Sequence, residues 1–126
     1  MRIMKWVAGV ALLAAILTWV DSGLANSKDG PRRWKRTLKG NTEVVYKIIF
    51  KVEKEEPRKF AEFAIIGDGS TDVDVFVFDA AGKQVTSDTG YSDLGIVRWV
   101  PAKTQEYTIR VKNLGSEDNV VTMGHN

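Results

Sequence analysis

The sequence predicts an all-β protein, an antiparallel sandwich or barrel, on three observations. Apolar and other residues alternate at period two in several separate stretches, most plainly Val73, Val75 and Val77 against Asp74, Phe76 and Phe78. Clusters of Gly, Asp, Ser and Pro punctuate those stretches at close intervals. After residue 25, no segment sustains the 3.6-residue period of an amphipathic helix. Short strands separated by frequent turn signals are how sandwiches and barrels read.

The elements follow in order. Residues 26–40, NSKDGPRRWKRTLKG, are polar and basic, broken by Gly30-Pro31 and Gly40, and read as an arm or linker. From residue 41 the pattern becomes that of strands, so the domain is set at 41–126. Val44, Tyr46, Ile48, Phe50 and Val52 fall on one face of the first strand, and Val45, Lys47, Ile49 and Lys51 on the other. Glu53–Arg58, with Pro57, is a charged turn. Phe60–Ile66 is a strand, Gly67–Ser70 a turn, and Asp72–Asp79 the clearest strand of all. Ala80–Lys83 turns into a short strand at Gln84–Thr86, and a loop of Ser, Asp and Gly runs to Gly95. Ile96–Val100 is a strand closed by Pro101, which has no ladder donor. Tyr107, Ile109 and Val111 alternate with Thr108, Arg110 and Lys112; Asn113–Asn119 is a turn, and Val120–Met123 the last strand.

Ahead of all this stands a leader. Arg2 and Lys5 precede an apolar run from Trp6 to Val20, and Gly23-Leu24-Ala25 is a small-x-small exit, the build of a secretory signal peptide cut after Ala25. The run is shorter than the about 20 residues a membrane-spanning helix needs. A competing reading, an uncleaved anchor, draws on the basic stretch after the cut, since positive charge tends to stay inside. Either way the expected location is secreted or periplasmic. Cleavage would leave about 100 residues, enough for one small domain. Of the 126 residues, 18 are Lys or Arg and 16 Asp or Glu, and none is Cys. So balanced a chain has no global field for nucleic acid. Stability outside the cytoplasm must come from packing, a bound ion or a partner rather than from disulfides.

Three runs carry a family resemblance. GDGSTDVDVFVFDAAGKQVTSD contains Asp72-Val73-Asp74 and the Asp79-Ala80-Ala81-Gly82 hairpin. VRWVPAKTQEYTIRVKNLG runs from Pro101 through Tyr107, Ile109 and Val111. Leu38-Lys39-Gly40 precedes a strand. Over residues 38–126 the chain resembles the bacterial pre-peptidase C-terminal domain. The resemblance implies a jelly-roll-like β-sandwich, a non-catalytic accessory of secreted enzymes, some relatives of which bind calcium or extracellular matrix. The enzyme itself is missing from this sequence.

The residues leave little for catalysis. His125 is the sole histidine, expected to be solvated, and neither a cysteine nucleophile nor a G-x-S-x-G elbow is present. Carboxylates are scattered through turns, where glycosidase chemistry would need two across a cleft. Asp68, Ser70, Asp72 and Asp74 present oxygens at alternate positions, as a calcium site requires, although Val73 stands where an EF-hand needs Gly. The competing reading is a turn whose Asp bonds its own backbone.

Two surfaces are candidates for binding. With Val73, Val75 and Val77 inside, Phe76 and Phe78 face outward as an aromatic platform; alternatively a loop or the arm covers them, or the strand is inverted and they are core. Trp99, Tyr46 and Tyr107 read as core. The basic stretch, with Arg32, Arg33, Trp34, Lys35 and Arg36, would meet an acidic protein, an acidic polysaccharide or an anionic envelope surface, or else is a solvated linker. The expectation is therefore an exported, non-catalytic binding or interaction module. The alternatives are a structural envelope-associated protein held by its basic arm, and a small secreted hydrolase or enzyme inhibitor.

Overall fold

In a computed structural model, residues 27–53 and 59–126 are described. Eight strands form: β1 (Arg32–Leu38), β2 (Glu43–Phe50), β3 (Ala61–Ile66), β4 (Val73–Phe78), β5 (Gln84–Asp88), β6 (Leu94–Trp99), β7 (Gln105–Asn113) and β8 (Asn119–His125). They build two four-stranded sheets, β1-β8-β3-β6 and β2-β7-β4-β5, with every neighbouring pair antiparallel. Only the β4–β5 hairpin stays within one sheet; every other connection crosses to the opposite layer. That wiring is an eight-stranded jelly roll, a sandwich whose consecutive strands β1 and β2 are both edges on one side, while β5 and β6 are edges on the other.

Alternation dictates the core. Val44, Tyr46, Ile48 and Phe50 of β2, Val73, Val75 and Val77 of β4, and Tyr107, Ile109 and Val111 of β7 face Leu38, Ala61, Phe63, Ile65, Val97, Trp99, Val121 and Met123 from the other sheet. Fully burying a Val, Leu, Ile, Phe or Met side chain contributes about 1.5–3 kcal/mol, and no disulfide is needed to hold the layers together. At one end Phe50 meets Trp99 and Tyr107 edge-on, with ring centroids 5.2 and 6.1 Å apart. The β4 valines lie inside, as the alternation predicts, and the strand is not inverted.

Two expectations need correction. Residues 32–38 are not an arm: they form β1, in register with the whole of β8 from Arg32↔His125 to Leu38↔Asn119. Leu38 is fully buried and Trp34 packs against the core. The two apolar side chains of an otherwise charged segment are enough to seat it, because β8 already offers it a row of backbone partners. His125 is not solvated: it is 5 % exposed, with its ring 5.8 Å from that of Trp34 and 5.9 Å from that of Phe50. The leader 1–25 and residues 54–58 of the charged turn lie outside the described residues. No helix among the described residues is long and apolar enough to cross a membrane.

Candidate functional site

The open side of the sandwich between β1 and β2 forms a cleft of about 340 Å³. Its geometry follows from the topology: within the sheets β1 pairs only with β8 and β2 only with β7, and the far edge of β2 is met at Ile49–Phe50 by the Ser27–Lys28 bridge. Trp34 and Tyr46 make the floor. The Trp34 indole N–H donates to the Tyr46 hydroxyl at 3.2 Å, and the rings stand edge to face at 5.0 Å. Ile48 and the His125 imidazole complete the uncharged part of the lining, and Arg32, Lys35, Arg36 and Lys47 the charged part.

Those four cations set the electrostatics. None of them pairs with a carboxylate among the described residues. Strand β8, beside β1, contributes no acidic residue. Glu43 at the start of β2 is engaged with Arg110 at 2.6 Å. The Arg32 guanidinium lies 6.0 Å from the centroid of the Trp34 ring, a cation–π approach. His125 has its pKa held below the usual 6.5, by burial first and then by the nearby Arg32 cation, against the opposing pulls of its bond to the Asn126 main-chain oxygen and of the Asp29 carboxylate. The Asn126 oxygen, 2.8 Å from Nδ1, can only accept, so Nδ1 carries the imidazole proton. Residues 27–30 bridge the end of β8 to β2. The Ser27 amide donates to the Asn126 oxygen at 3.1 Å and the Lys28 amide to the Ile49 carbonyl at 2.8 Å, bridging to β2 at Phe50.

Of the residues singled out in that basic stretch, Arg32, Trp34 and Arg36 face this cleft, Lys35 borders it from the outer face of β1, and Arg33 lies on that outer face opposite Gly124. Tyr46, Lys47, Ile48 and His125 were not legible as site residues; nothing local in β2 or β8 signals that they face β1.

Phe76 and Phe78 stand elsewhere, on the outer face of the other sheet, both half-buried. Arg110, cross-strand from Phe76, holds its guanidinium 5.8 Å from the Phe78 centroid. β4 is two places from β2 in its sheet, so these rings are not part of the cleft.

The acidic residues do not converge. Among the described residues, no group of three or more His, Cys, Asp or Glu side chains could hold a metal ion. Asp68 is used by the fold: Oδ1 accepts from the Ser70 amide at 2.9 Å and from the Ser70 hydroxyl, and Oδ2 accepts from the Val120 amide at 2.9 Å. Asp74 lies on the strand face of Phe76 and Phe78, cross-strand from Lys112. Burial, then Asp72 and Asp88, raise its pKa against the pull of Lys112. Asp68, Ser70, Asp72 and Asp74 are thus not gathered into such a group among the described residues. Instead Asp93, Asn113 and Asn119, fully buried, tie the loops at that end. Asp93 Oδ2 accepts from the Gly69 amide and from Asn119, and Asn113 donates to the carbonyls of Leu38 and Glu117.

No family model matches the sequence, and no curated protein matches it. Solved structures do. The periplasmic inhibitor of g-type lysozyme PliG from Aeromonas hydrophila superposes with a TM-score of 0.55, at 14% identity over 82% of this chain and 87% of its own. The mitogen YPM derived from Yersinia pseudotuberculosis superposes with a TM-score of 0.53, at 13% identity over 77% of this chain and 85% of its own. Both likenesses are of fold. At such identities the shared layers say nothing about shared residues.

Proposed function

We propose that this chain is an exported, non-catalytic β-sandwich module that binds another macromolecule outside the cytoplasm, and that the β1–β2 cleft is its contact site. One observation carries the reading: four cations with no carboxylate partner among the described residues surround an aromatic floor between two sheet edges. A surface built for stability alone would intersperse charges of both signs. The lining holds no Asp, Glu, Ser, Thr or Cys, which favours recognition over catalysis. The leader, the resemblance to the pre-peptidase C-terminal domain and the fold likeness to a periplasmic inhibitor support an extracytoplasmic setting. The envelope-associated alternative would act through the same cations, held on a paired strand rather than on a free arm.

The test is binding of poly-glutamate, a flexible polycarboxylate. Wild-type protein should bind it with an affinity that falls as salt rises past about 0.15 M. The double variant Arg32→Glu, Arg36→Glu should lose that binding while keeping its melting profile. Equal binding by both proteins would remove the cleft from the proposal. A second reading, an enzyme inhibitor, is favoured by the likeness to PliG. It predicts that the purified protein slows a g-type lysozyme, and an unchanged rate at saturating protein would dismiss it.

A further inference from the structure

Resting on that reading of the cleft, we propose that its occupant is an extended, carboxylate-rich segment of another protein, added as a strand to the outer edge of β1. Three features point to this class of partner rather than to a sugar or a lipid surface.

The first is the free edge itself. Among the described residues β1 is hydrogen-bonded to β8 alone, so its other side presents a row of main-chain donors and acceptors. The Ser27–Gly30 segment bridges to the Phe50 end of β2, leaving the stretch from Arg33 to Thr37 open.

The second is the distribution of charge along the strand. Arg32 and Arg36 alternate to the inner side, in register with His125 and Val121, and Arg33 and Lys35 to the outer side, in register with Gly124 and Thr122. An anionic bilayer would engage one face of such a strand. An added strand engages both, because its own side chains alternate and each comes within about 5.5 Å of the residue opposite.

The third is what the added strand would cover. A strand beyond β1 extends that sheet over the cleft, so its inward side chain opposite Trp34 would drop towards Tyr46 and Ile48. The register therefore calls for carboxylates opposite Arg32, Arg33, Lys35 and Arg36 and an apolar side chain opposite Trp34. A second copy of β1 is the wrong occupant, since it would set cation against cation.

The probe is the capped hexapeptide Thr-Glu-Glu-Val-Glu-Glu, which places Val opposite Trp34 in an antiparallel register. Its control is the same peptide N-methylated at alternate residues, with charge kept and ladder donors removed. The wild-type protein should bind the first at least about tenfold more tightly than the second. Amide hydrogen exchange should slow within Arg33–Thr37 and not in β5 or β6. Equal affinities, or protection that skips β1, overturn strand addition, as does tighter binding of a sulfated oligosaccharide or of phosphatidylglycerol vesicles than of the peptide. Poly-glutamate separates the two levels. If it binds and the peptide does not prefer its unmethylated form, the cleft reading stands and this inference falls. If neither binds, both fall. Because the decisive comparison is between peptides, no outcome depends on how a protein variant folds.

Discussion

Two buried titratable groups make opposite demands on pH. His125 has its pKa lowered, chiefly by burial, so the unfolded chain takes up a proton more readily than the folded one. Its contribution to stability is present above the unfolded value of about 6.5 and is lost as pH falls below it, down to the lowered folded value. The melting temperature of the protein should drop between pH 7 and pH 5, and His125→Gln should flatten that part of the profile even if the variant is less stable throughout. A profile of unchanged slope would remove His125 as the cause. Asp74 works the other way. Burial and the charges of Asp72 and Asp88 raise its pKa, so its ionised form is a liability that eases on acidification. Asp74→Asn is expected to raise the melting temperature at pH 7 and to have a shrinking effect as pH falls. A lower melting temperature at pH 7 would contradict that sign.

At the scale of single elements, the β1–β2 turn and the two faces of β4 make separable predictions. Gly40 sits where a Cβ would lie 2.1 Å from the Ser116 carbonyl oxygen. Its amide donates to Asp118 Oδ1 at 3.1 Å, and this bond, with Lys39, holds the Asp118 pKa low. The neighbouring Asn41 has a φ of 56° and donates its own amide to the Gly115 carbonyl at 2.7 Å. Gly40→Ala must move backbone rather than a flexible side chain, and should cost about 1–3 kcal/mol in chemical denaturation. In β4, Val77 is fully buried and Phe76 half-buried on the opposite face. Val77→Ala should cost about 2 kcal/mol, while Phe76→Ala should cost less than the about 3–5 kcal/mol typical of a fully buried ring. A Phe76→Ala, Phe78→Ala double variant that still melts cooperatively would agree with this placement. One that does not fold would mean the outer face carries more of the stability than its burial indicates.

For the whole molecule, the jelly-roll wiring leaves most of the contacts long-range in sequence. Chain ends meet early elements: the Glu62 amide donates to the Asn126 side chain at 2.8 Å, and Asn126 in turn donates to the Phe60 carbonyl. A fold of such high contact order should refold slowly, in milliseconds to seconds, which stopped-flow Trp fluorescence can check. The proposed export implies that the exported protein begins at Asn26, and intact-mass analysis retaining Met1 would favour the anchor instead.

The sequence by itself determined the strand class, the inward valines of β4 and the inward aromatics Tyr46, Trp99 and Tyr107. Alternation is a local property, recorded in every second residue whatever the partner strand turns out to be. It could not show that residues 32–38 are a strand. Cations on both faces of Arg32–Arg36 erase the alternation, and the segment is extended because β8, at the far end of the chain, pairs with it. Nor could spacing tell that Asp68 would accept from the Ser70 and Val120 amides. The cleft is the clearest case. Its cations, its aromatic floor and its two sheet edges lie on β1, β2 and β8, and only the crossing of β1 and β2 between layers leaves both as edges on the same side of the sandwich. Edge position is decided by which strands find partners, and that is settled by the pairing of the entire sheet rather than by any stretch of residues.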